Sequence, residues 1–233
     1  EAIAGTLREH DLVEQAKACL EQILALEPNN QEQRYALADL LLSQKQVEGA
    51  KALLWQVLEA EDKSAGGQRT QAANTLVQLA VQAGAQQALE TEATAKTSAG
   101  AAFLLGRLHS RSREFEKAIA SFKLALERKP EDVEARRLLA RLLSDEGDYQ
   151  GALSEYAKVE QLQPGEGKRQ FREVARLYLE TYELEKAIAV WQKAMRDNPD
   201  NASVFVEVGK EFLGIQRVPE ALEAFQQAAR LKA

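Results

Sequence analysis

One alanine recurs along this chain at a nearly fixed interval, and that interval constrains the fold more than any other feature. It stands in the contexts Glu14-Gln15-Ala16, Glu48-Gly49-Ala50, Glu116-Lys117-Ala118, Gln150-Gly151-Ala152, Glu185-Lys186-Ala187 and Pro219-Glu220-Ala221. Successive spacings are 34, 68, 34, 35 and 34 residues. The 68 is a doubled period, which places a weakened unit between Ala50 and Ala118. A fixed period of this length marks a stacked repeat, in which no unit buries its apolar face alone.

Other columns keep step with the alanine. Four residues later come Leu20, Leu54, Phe122, Tyr156, Trp191 and Phe225, and three further on Ile23, Val57, Ala125, Val159, Ala194 and Ala228. Twelve before it sits a small residue, Ala4, Ala38, Gly106, Ala140, Ala175 or Gly209, each preceded by a bulky one. The apolar positions follow a helical rhythm twice per unit, so each unit is predicted to be two amphipathic helices. Small residues in two columns let those helices cross closely. Pro28, Pro130, Pro164 and Pro199 end the second helix, since proline disfavours a helical conformation at the residue before it. Asn30, Asp132 and Asn201 then stand where the next helix needs an N-cap, and Glu146-Gly147-Asp148 reads as a stop followed by a cap.

These columns resemble the tetratricopeptide repeat, most clearly in Phe103-Leu104-Leu105-Gly106, Ala118, Phe122, Ala125 and Pro130. The family's frequent early tryptophan is absent, with Phe171 and Phe205 at that place in the last two units. The resemblance implies an all-α, right-handed superhelical solenoid of about seven antiparallel helix pairs in 34-residue units. Three regions are expected: residues 1–64 with a first unit truncated, a degenerate repeat at 65–98, and four units at 99–233. In the degenerate repeat the period puts Gly84 at the anchor, Ala88 in the aromatic column and Lys96 in the proline column. Its second helix holds little apolar matter beyond Leu89, so residues 65–98 are expected to be the least stable segment, either a soft joint between residues 1–64 and 99–233 or an ordinary worn repeat with no mechanical role. The chain opens partway through a first helix and closes as a second one finishes, as a fragment of a longer protein would.

In this family the first helix of each unit lines a concave groove that grips a peptide. The residue eleven before each anchor points into it: Arg107, Arg141, Arg176 and Lys210 in the last four units. One turn earlier lie Arg137 and Arg172, and Arg111 and Arg169 extend the patch, with Arg69 an outlier in the weak unit. Residues four apart share a helix face, so these cations form a ladder on a chain whose formal charge is −6. The planar fork of arginine donates two parallel hydrogen bonds to a carboxylate. The expected partner is therefore a protein with an acidic segment or a C-terminal carboxylate, with Tyr35 and Phe103 as an apolar floor or as packing between units. Glu134, Glu173, Glu180 and Glu207 stand close enough in sequence to neutralise part of the ladder. The carboxylate clamp of chaperone-binding relatives is not reproduced, because its asparagine column is Arg or Lys here. The asparagine ladder of the sugar-transferase solenoids is also missing, with Ala36, Leu104, Leu138, Glu173 and Glu207 at those places.

The remaining chemistry narrows the function further. An acidic balance argues against a nucleic-acid partner, and the sequence has no apolar run of membrane-spanning length. Cys19 is the only cysteine, so no intrachain disulfide forms; a buried structural thiol is expected, and the compartment stays undetermined. His10 and His109 lie in unrelated units without a catalytic motif. No enzyme activity, cofactor or metal is implied. A protein-interaction scaffold is the leading expectation. The alternatives are a homo-oligomer stacked through uncapped ends, and a recruiting or regulatory region of a larger enzyme or assembly factor.

Overall fold

The computed structural model describes residues 2–60, 66–163 and 167–232, with side chains described outside residues 2–11, 66 and 167–169. The expected boundary at residues 64–65, Pro164 and the side chain of His10 thus lie outside the described residues. Among the described residues every regular element is a helix, and none is long and apolar enough to cross a membrane. The chain divides into two compact units, residues 1–138 and 139–233.

Unit 1 contains α1 (Ala2–Leu26), α2 (Gln31–Ser43), α3 (Val47–Glu59), α4 (Gly66–Ala83), α5 (Gln86–Thr94), α6 (Ala99–Arg111) and α7 (Phe115–Arg128). The boundary falls inside α8 (Val133–Asp145). Unit 2 continues with α9 (Tyr149–Leu162), α10 (Gly167–Glu180), α11 (Leu184–Asp197), α12 (Ala202–Gly214) and α13 (Val218–Arg230). The pairs α2/α3, α6/α7, α10/α11 and α12/α13 pack most closely. Their cores are built from the expected columns: Ala50, Ala118, Ala187 and Ala221 are fully buried, as is Ala152 on α9.

Local signals act where the columns put them. The side chains of Asn30, Asp148 and Asn201 accept from the backbone N–H of Gln33, Gly151 and Ser203, and Asp132 accepts from Ala135. Each satisfies a donor that the first helical turn leaves unpaired. Asp148→Ala is expected to cost about 1 kcal/mol, measured by chemical denaturation. The turns inside the pairs share one device, a residue of left-handed conformation: Lys45, Arg113, Gly147, Tyr182 and Gln216, with φ between 60° and 82°.

Two features depart from the expected seven pairs. First, α1 is one continuous helix across the place where a pair would turn. By the period, Asp11 and Leu12 stand there, and nothing in Arg8–Glu14 stops a helix as glycine or proline would. The described chain thus holds one long helix and six pairs. Cys19, expected to be buried, is exposed on α1 as a result, because no first helix folds back to cover that face.

Second, the degenerate repeat turns five residues late. The period puts its turn at residue 79, but Gly84 has the left-handed φ of 64° and ends α4. Gly84 is therefore the turn residue and not the anchor. Counting on from it, Leu89 takes the anchor place and Ala93 the aromatic place, and both are buried. The overrun leaves α5 only nine residues long. With so little helix between them, α6 reaches α3 directly, and Gly100 packs backbone to backbone against Leu58. Lys96 reaches back as well, pairing with Glu59 at 3.2 Å and lying 4.7 Å over the Trp55 ring.

Candidate partner-binding surface

Unit 2 places Arg141, Arg172, Arg176 and Lys210 on its first helices, α8, α10 and α12, and all four are exposed. Arg141 and Arg176 come together around Tyr156 of α9. Tyr156 fills the aromatic column and is 5% exposed. Unlike the Leu, Phe and Trp of the other units it carries a hydroxyl, and the charges of Arg141 and Arg176 act on it. Burial, and after it the charge on Glu173, push the Tyr156 phenol above its ordinary range, against the pull of Arg141 and Arg176. The phenol therefore stays neutral.

Arg176 is held from the other side, donating to Ser144 Oγ at 3.1 Å. Ser144 carries no charge, so Arg176 is positioned without being neutralised by it. Arg172 lies 3.8 Å from Glu207, and both side chains are well exposed. A pair of that length and exposure contributes little to stability and opens readily to a competing carboxylate. Glu173 Oε2 is buried and has no hydrogen-bond partner among the described residues. The site is thus a set of exposed cations, Arg176 held in place among them, beside one buried, unsatisfied acceptor. The Arg169 side chain lies outside the described residues.

Unit 1 treats its sequence-selected residues differently. Arg107 donates to Asn74 Oδ1, at 2.9 Å from Nε, and Arg137 pairs with Glu134 at 3.1 Å. Arg111 is exposed at the end of α6. Tyr35 is half-buried, with its hydroxyl 3.1 Å from that of Thr75. Phe103 is no groove floor. It is 0% exposed and packs edge-on against Phe122 with ring centroids 5.7 Å apart. Its column faces the core here because Arg69 covers it, 4.7 Å over the ring. Arg69 itself, read as an outlier of the patch, is 5% exposed and ion-paired to the buried Asp132.

Sequence reasoning missed Ser144 as a positioning group and the Tyr156 hydroxyl on which the arginine charges act. The one available signal was a tyrosine in a column of purely apolar residues. It also missed a buried polar chain in unit 1, where His109 Nδ1 lies 3.1 Å from Ser121 Oγ and Nε2 lies 3.3 Å from Glu90 Oε1. The Ser121 hydroxyl also lies 2.8 Å from Lys117 O, which can accept from it. His109 and Ser121 are both buried. This chain ties α5 to α6 and α7, and it exposes no nucleophile.

The helix pairs and their columns define a helical-repeat protein. Two models of the tetratricopeptide repeat match the chain, over residues 7–73 and 103–167. The chain belongs to the tetratricopeptide repeat family. Among solved structures it is similar to YrrB, described as a TPR protein with an unusual peptide-binding site. Identity to YrrB is 25%, over 79% of this chain and 95% of that one, at a TM-score of 0.52. It is also similar to MamA 41-end from Desulfovibrio magneticus RS-1, at 18% identity over 70% and 95% of the two chains and a TM-score of 0.52. A MamA RS-1 double mutant matches at 19% identity over 70% and 94%, with a TM-score of 0.54. No curated protein sequence matches the chain significantly.

Proposed function

We propose that this chain is a protein-interaction scaffold whose second unit receives an acidic segment of a partner protein across Arg141, Arg172, Arg176 and Lys210. The observation that carries this reading is the set of four exposed cations on the first helices of unit 2, with Arg176 held by the uncharged Ser144 at 3.1 Å. An arginine held in this way is pre-organised for a carboxylate, which lowers the ordering cost of binding. The peptide-binding site named for YrrB supports a peptide as the kind of ligand.

The probe is a fluorescein-labelled twelve-residue peptide rich in Asp and Glu, read by anisotropy. Arg141→Glu with Arg176→Glu should lower its affinity roughly tenfold or more, about 1.4 kcal/mol, with helicity unchanged. Raising the salt should weaken the unaltered complex. A C-terminally amidated copy separates the two forms of the reading. Equal affinity favours internal carboxylates, and a large loss favours a terminal one. Undiminished binding by the double variant contradicts the proposal.

A further inference from the structure

We propose that unit 2 carries a second partner site, a pocket between α9, α10 and α11 that takes one aromatic side chain standing beside a basic residue. It does not rest on the arginine surface. Residues three, four and seven apart share a helix face. Phe171, Val174 and Tyr178 therefore form one stripe of α10, and Arg172 and Arg176 lie on another. The first stripe lines the pocket, together with Tyr156 and Ala157 of α9 and Val190 of α11.

Size selects the occupant. The pocket holds about 180 Å³. A cavity of about 150 Å³ admits a benzene ring, whereas pockets that enclose a whole drug-sized ligand run to about 300–1,000 Å³. One ring therefore fits, and it arrives on a side chain whose backbone stays outside, as the aromatic anchors of protein interfaces do. The lining suits a ring. Tyr156 and Phe171 are buried, Tyr178 and Val190 partly so, and three aromatic side chains offer a fourth both edges and faces. Charge selects the neighbour. The described charged residues that line the pocket are Glu160 of α9 and Lys193 and Asp197 of α11. Lys193 Nζ lies 3.0 Å from Glu160 Oε1 and 4.0 Å from Asp197 Oδ2. One ammonium is shared by two carboxylates, which leaves these three with a net negative charge. All three side chains reach solvent, where the residues flanking an inserted ring must pass. A basic flank is attracted there and an acidic one repelled.

The probe is the capped peptide acetyl-Gly-Arg-Phe-Gly-amide, titrated to millimolar concentration into the full chain and followed through the methyl resonances of Val174 and Val190. Both should shift and saturate. A peptide with alanine in place of its phenylalanine should bind about tenfold more weakly or worse. One with glutamate in place of its arginine should also bind more weakly. Reading the two valines keeps any capture of that acidic peptide by the arginine surface out of the comparison. Ala157→Leu should abolish the shifts, because Ala157 is exposed on α9 and leucine reaches into the pocket while keeping the helix. Glu160→Gln with Asp197→Asn leaves Lys193 as the charge at the pocket, so preference should pass to the glutamate peptide. Unmoved Val174 and Val190 resonances overturn the proposal. So does equal binding of the arginine and glutamate peptides by the unaltered chain, or undiminished binding by Ala157→Leu.

Discussion

Arg69→Met is expected to destabilise unit 1 by about 3–5 kcal/mol, the usual cost of removing one partner from a buried ion pair. Arg69 and Asp132 are 5% and 4% exposed, and the guanidinium also covers the Phe103 ring at 4.7 Å. Methionine replaces much of the lost volume, so the cost falls mainly on Asp132. It keeps its bond from the Ala135 N–H but is left as an uncompensated buried anion. Adding Asp132→Asn should recover more than half of the loss, because asparagine caps a helix as well as aspartate does and carries no charge. Urea unfolding of the two variants checks both steps. A cost below about 1 kcal/mol for Arg69→Met would mean that water solvates Asp132 after all.

Gly100→Ala is the second large effect. A Cβ at this position would lie 2.1 Å from Leu58 O and 2.6 Å from Leu58 C. Both are backbone atoms of α3, which no side-chain rotation can move, so α6 must shift away from α3. Overpacking of this kind costs about 1–3 kcal/mol and occasionally more. It outweighs the roughly 1 kcal/mol that alanine gains over glycine inside a helix. Gly67→Ala on α4 supplies the contrast, since nothing lies within 4 Å of its added Cβ. It should be neutral or slightly stabilising, and the two substitutions should move the urea midpoint in opposite directions.

Both effects arise where the weak repeat departs from the period, and there the sequence was least informative. The anchor, small-residue and capping columns were legible because close helix crossings and unpaired N–H groups tolerate few residue types. Gly84 was misplaced because counting by the period assumes that each helix stops on schedule. The physical stop is the residue able to adopt a positive φ, and at the end of α4 Gly84 does so. Asp11-Leu12 failed in the opposite sense, since a turn was expected and no residue there enforces one. For the site, the column of cations was legible as a pattern. Whether a given arginine stays exposed depends on its neighbours in three dimensions. Arg69 and Arg141 look alike in sequence, yet one is buried against Asp132 and the other is exposed beside Tyr156.

The central claim is that Arg141, Arg172 and Arg176 of unit 2 form a receiving surface for carboxylates. Side-chain Nε–Hε resonances of isotopically labelled arginine test it residue by residue during titration with the acidic peptide. Arg217 is the internal reference, because it is already bound to Glu220, with Nε 2.7 Å from Oε1. The account predicts saturable shifts at Arg141, Arg172 and Arg176, with Arg217 unmoved. Shifts confined to Arg217 and other surface arginines, or none at all at Arg141 and Arg176, would contradict it.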